Sequence, residues 1–176
     1  KITTFEVPMK TQMTIPYFTI DAPYELAYRN NGTSSPARPH THNALEIYLT
    51  MSDLPDVLLD DTVSSVSKGS LIIIPPHHVH QLFNQKLTIY ERYVLNINSD
   101  WLYTVLGAGL MPYADPAFSP AILRLSPTGL TGLCSQLDHY LQLHPQPSLS
   151  AYADFFSLLS ILDSRIQHGL QASSTG

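Results

Sequence analysis

The stretch Leu45-Glu46-Ile47-Tyr48-Leu49-Thr50-Met51 puts an apolar residue at every odd position and a polar or mixed one at every even position. A period of two marks a β-strand whose two faces meet different surroundings. Leu71-Ile72-Ile73-Ile74 is apolar throughout, as a strand covered on both faces would be. A chain holding both patterns needs a sheet with material on each side. Val57–Leu59 and Thr62–Val66, separated by Asp60-Asp61, add short β-prone runs, and Thr88–Ile97 adds a long one. Thr11–Ile20 reads as an early strand, and Asn30-Asn31-Gly32 as a turn. Residues 101–127 carry Pro112, Pro116, Pro120 and Pro127 and are expected to form an irregular connector.

The period changes near the end of the chain. Leu130, Leu133, Leu137 and Leu141 recur at helical spacing, and His144-Pro145-Gln146-Pro147 stops that helix. Ser148 suits the N-cap of a second helix, with Tyr152, Phe155, Phe156, Leu159, Leu162 and Ile166 on a broad apolar stripe. Strands first and helices last argue for a barrel or sandwich with a helical appendage. The last six residues, Gln171 to Gly176, are small and polar and read as a tail. Together with a start at Lys1, they suggest a piece of a longer protein.

Composition narrows the chemistry. The net charge is −5, and nine Lys and Arg are scattered rather than clustered, so this segment is not expected to grip nucleic acid. A single cysteine, Cys134, excludes an internal disulfide and suits a cytoplasmic protein. No apolar run is long enough to span a bilayer, and no signal peptide is visible.

The chemistry-bearing stretch is Arg38-Pro39-His40-Thr41-His42-Asn43-Ala44-Leu45-Glu46. On an unbroken strand His40, His42 and Glu46 share one face, and Leu45, Ile47, Leu49 and Met51 share the other. The first face is a polar cavity wall; the second needs apolar cover, which the C-terminal helices offer. Tyr48 has the parity of Glu46 and is a candidate for the same wall. Arg38, at the strand's start, is a candidate to place a guanidinium over the cavity.

Further along stand Gly69, Pro75-Pro76-His77-His78-Val79-His80 and Asn84. His-x-His-x-x-x-Glu followed by Gly-x5-Pro-x4-His-x3-Asn resembles the two cupin motifs. That resemblance implies a double-stranded β-helix (jelly-roll) barrel. It also implies a metal set of His40, His42, Glu46 and His80, suited to zinc, nickel, manganese or iron. The bland alternative for the same four residues is a cavity wall that hydrogen-bonds an organic effector. Two positions depart from the pattern: Asp53 and His77 stand where the motifs have glycine. Both residues tolerate a positive φ better than most.

Arg38-Pro39 before the strand, Pro75-Pro76-x-x-x-His80, Tyr90-Glu91-Arg92-Tyr93-Val94-Leu95 and the trailing leucine-rich helices are similar to the sensor domains of AraC-family transcriptional regulators. The resemblance implies a mainly β fold, a cupin-like barrel followed by two helices. Residues 1–127 would form the arm, barrel and connector, residues 128–170 a dimerising helical pair, and 171–176 a flexible tail. It implies a small polar, sugar-like effector, a homodimer, and DNA contact only through a domain that this chain does not contain. It places Glu91 and Tyr93 inside the barrel, giving Arg38, His42, Tyr48, His80, Glu91 and Tyr93 as effector-binding candidates, with no catalytic residue. A metal-dependent cupin enzyme, an isomerase or dioxygenase, is the rival reading, and a carbohydrate-binding or storage module is a third.

Overall fold

The structure is a computed structural model that describes residues 15–31, 38–83, 89–107 and 109–173. Ten strands and three helices follow in chain order among these residues. They are β1 (Tyr17–Phe18), β2 (Tyr24–Asn31), β3 (Thr41–His42), β4 (Ala44–Thr50), β5 (Val57–Leu59), β6 (Thr62–Ser64), β7 (Ser70–Ile74), β8 (His80–Leu82), β9 (Tyr90–Asn98), α1 (Ser99–Leu106), β10 (Ala121–Arg124), α2 (Pro127–Leu143) and α3 (Leu149–Ser173).

The strand with period two sits at the centre. β4 lies between β7 and β9 in a five-stranded sheet of order β10-β7-β4-β9-β2, all neighbours antiparallel. Its odd residues, Leu45, Ile47 and Leu49, join Leu71, Ile73, Leu95 and Ile97 in a core sealed by Leu133, Leu137, Phe155, Leu158, Leu162 and Ile166 of α2 and α3. The helices cover this face, as the alternation demanded. The even side faces a second core in which Tyr48, Ile72, Ile74, Tyr90 and Val94 meet Val57, Leu59, Val66 and Leu82. Most of that cover comes from the smaller sheet β6-β5-β8. β7 therefore buries both faces, and its fully apolar sequence is explained. The two sheets enclose a cupin-like barrel, with the two C-terminal helices packed on its outer face.

Three local expectations change. Residues 101–127, expected as an irregular connector, hold most of α1, a 3-10 turn at Pro112–Ala114, strand β10 and the first residue of α2. The prolines fall at the first position of the turn and outside the strand, where a missing N–H breaks no ladder. Residues 171–173 continue α3 rather than beginning a tail. Asn30 and Asn31 extend β2 instead of turning. Residues 11–14 of the early strand, Gly32 of that turn, Thr88 and Asn84 of the second motif lie outside the described residues.

Candidate functional site

The strand carrying His40, His42 and Glu46 is interrupted. Asn43 separates β3 from β4, and its side-chain amide is engaged with the backbone of Ile20. The break does not scatter the motif. His40 pairs with His80 in an isolated antiparallel bridge through two backbone hydrogen bonds of 3.1 and 2.9 Å. That bridge brings the two histidine-bearing segments side by side. The His40 and His80 rings lie 4.2 Å apart and those of His42 and His80 4.8 Å apart.

Glu46 reaches into this cluster from β4. Its Oε2 stands 3.2 Å from His42 Nε2 and 2.9 Å from His80 Nε2. Backbone groups orient the rings. His40 Nδ1–H donates to the Arg38 carbonyl at 2.9 Å, and His80 Nδ1–H to the His78 carbonyl at 3.0 Å, so both present Nε2 to the cluster. His42 instead accepts the Ala44 N–H on Nδ1 at 3.3 Å, which leaves its Nε2–H facing Glu46.

The electrostatics follow from burial and contact. Burial alone would raise the Glu46 carboxyl pKa, but the His42 hydrogen bond and the His80 imidazole beside it outweigh burial and hold the group well below the usual carboxylate range. Burial disfavours a charge on His80, yet the Glu46 carboxylate prevails and raises its pKa. His40 shifts the other way, lowered chiefly by burial. Tyr48, next along the same face, is pushed well up by burial and by the adjacent Glu46 carboxylate.

A divalent transition metal fits this donor set. The ligating atoms of His40, His42 and His80 lie within 4.8 Å of one another, and Glu46 Oε2 stands against two of them, those of His42 and His80. His80 Nε2 is buried and, although close to Glu46, makes no well-directed hydrogen bond. It keeps bonding capacity for a third party.

The other candidates divide. Tyr48 is buried on the barrel side, as its parity required. Arg38 is exposed, and only its carbonyl is engaged with the cluster. Tyr93 is not inside the barrel. The β4–β9 register sets it opposite Leu49, so it faces the helices, and its hydroxyl donates to Asp138 of α2 at 2.6 Å. Glu91 shares that parity and is partly exposed, where Asn30 Nδ2 donates to it at 3.4 Å. The expected interior face of β9 is therefore the outer one. The sequence held the signal: Tyr93, Leu95 and Ile97 are more apolar than Arg92, Val94 and Asn96, and the drier face goes to the helices.

Sequence reasoning missed the even face of β9. Arg92 is buried on it, with its guanidinium carbon 4.6 Å from the Tyr90 ring centroid and 5.7 Å from that of Tyr48. The glycine positions resolve unevenly. His77 takes a φ of 69°, the left-handed conformation that glycine would supply. Asp53 is not among the residues of positive φ; its carboxylate accepts the Lys68 N–H at 2.8 Å. His78 is a rim strut, pairing with Asp60 at 2.7 Å and bonding the Pro116 carbonyl.

No family model matches the chain, and no curated protein matches it in sequence. Solved structures do. An apo ToxT variant from Vibrio cholerae superposes with a TM-score of 0.55 at 9% identity, over 84% of this chain and 57% of that one. ToxT from Vibrio cholerae bound to (E)-4-(8-methylnaphthalen-1-yl)but-3-enoic acid gives 0.54 at 8%, over 86% of this chain and 58% of that one. A cupin 2 conserved barrel domain protein from Salinispora arenicola gives 0.40 at 19%, over 48% of this chain and 71% of that one. The chain thus spans a little over half of ToxT. At such identity the likeness to ToxT speaks to fold: barrel and helices together have a solved counterpart.

Proposed function

We propose that this chain is the small-molecule-sensing domain of an AraC-type transcriptional regulator. The observation that carries the reading is the convergence of His40, His42, Glu46 and His80 inside a barrel whose outer face is sealed by paired helices. Cupin motifs account for the first part. The fold shared with ToxT, an AraC-family regulator solved with a small acid bound, supports their combination with the helices.

In this reading the effector enters the barrel and meets the even face of β4, where Glu46 and Tyr48 stand, and the imidazoles of His42 and His80. His40, His42, Glu46 and His80 would hold a divalent metal, which supplies a Lewis-acid anchor for an effector oxygen when bound. The chain's own work is positional. The Arg38 and His78 carbonyls aim two imidazoles, and Glu46 fixes the other side of the cluster. α2 and α3 would form a homodimer seam and pass the bound state to a DNA-binding domain. An effector shifts such an equilibrium only by its differential affinity for the two arrangements.

The test is a thermal-shift panel of sugars, sugar acids, aromatic acids and amino acids on the chain. A binder present at about a hundredfold over its Kd should raise Tm by about 5–10 °C. No stabilisation by any member counts against a sensor. Metal-dependent turnover of a panel member, with oxygen consumption, favours the cupin enzyme instead.

A further inference from the structure

We infer that the barrel interior receives a small organic acid, its carboxylate held by Arg92. This rests on the reading of the barrel as a small-molecule site and names the class of molecule.

Arg92 stands on the inward face of β9, 8% exposed, against the Tyr90 and Tyr48 rings. Its Nε and Nη1 have no hydrogen-bond partner. Those two donors lie on different edges of the guanidinium fork, so each edge offers at least one unpaired N–H. A guanidinium stays charged, and a buried charge is retained at great cost unless something pairs with it.

The neighbouring groups do not supply that partner. Thr50, opposite Arg92 on β4, donates its hydroxyl to the Ser67 and Ser70 carbonyls and accepts the Ser70 N–H. Arg29, opposite on β2, is itself cationic and paired with Glu25. Glu46, the acid on this face of β4, is committed to His42 and His80. Glu91 belongs to the other face. The Tyr48 and Tyr90 rings lie near the guanidinium carbon, which favours the cation but leaves Nε and Nη1 without an acceptor.

Carboxylate is the anion that matches a planar fork with apolar flanks. The surroundings then shape the rest of the ligand. The second core beside Arg92, with Val94, Ile72, Ile74 and Leu82, is apolar, which suits a hydrocarbon or aromatic body better than a sugar ring. Farther along the same face Asn96, opposite Glu46, has an unpaired Oδ1, which suits a donor at the ligand's far end.

Two matched pairs test this by thermal shift on the whole chain: benzoate against benzamide, and hexanoate against hexanamide. The acids should raise Tm and the amides should not. Arg92→Met should remove the acid response while leaving the ligand-free Tm equal or higher, because an unpaired charge is replaced by apolar bulk. Arg92→Lys, which keeps charge without the fork, should weaken acid binding at least about tenfold. The inference is overturned if the amides match the acids, if the acid shift survives in both variants, or if Arg92→Met lowers the ligand-free Tm as loss of a structural strut would. Sugars that shift Tm equally in wild type and Arg92→Met, with acids inert, overturn it while sparing the sensor. Silence from every compound removes the sensor reading itself.

Discussion

Single residues decide what belongs to the site and what belongs to the frame. Tyr93 is the clearest case. The family resemblance places it among the effector contacts, whereas the register assigns it to the helix-side core with its hydroxyl on Asp138. Tyr93→Phe should therefore lower Tm by about 2–4 °C, the loss of one hydrogen bond to a half-solvated carboxylate, and leave effector binding unchanged. Calorimetry paired with a binding titration checks it; lost binding at unchanged Tm would return Tyr93 to the barrel. Position 77 yields a second expectation. A histidine held at φ 69° is strained, so His77→Gly should be neutral or stabilising by up to about 1 kcal/mol in chemical denaturation. A loss of several kcal/mol would show that the ring's stack on Tyr17, at 5.9 Å, outweighs backbone relief.

At the scale of elements, helices α2 and α3 act as the lid of the outer core. Phe155 is fully buried and stacks on Tyr24 of β2 with ring centroids 3.6 Å apart. Phe155→Ala should cost about 3–5 kcal/mol, measured by urea unfolding, since both the sheet and α2 would face the resulting cavity. A loss under about 1 kcal/mol would mean that the helices are only loosely docked. Elements were also where the sequence was most legible. β4 announced its two faces by strict alternation, β7 its double burial by uniform apolarity, and α3 its cap at Ser148, whose hydroxyl accepts the Ala151 N–H at 3.1 Å. Less could be read where one residue redirects the chain. The break at Asn43 depends on bonds to Ile20, remote in sequence. The facing of β9 depends on its register with β4, which no short pattern in β9 encodes. Arg92 was overlooked for that reason: its importance arises only once its face is known to be the inner one.

The whole molecule separates two tasks by layer. The barrel interior holds polar, ionisable groups against one wall, and the outer layer is a hydrophobic seal. α3 still exposes Ile161, and Leu143 and Leu149 flank the turn between the helices. The proposed homodimer would use that side of the helical pair, and light scattering after size exclusion at about micromolar concentration should give twice the chain mass. A monomer would leave the helices as cover alone. Among the described residues no helix is long and apolar enough to cross a membrane. The account as a whole stands on His40, His42, Glu46 and His80 acting as one site. Calorimetric titration of the metal-stripped chain with zinc, nickel and manganese measures that directly. The expected result is stoichiometric binding of at least one of them, abolished in both Glu46→Gln and His80→Ala while the fold persists by circular dichroism. No binding by any of the three, or binding that survives both substitutions, would contradict it.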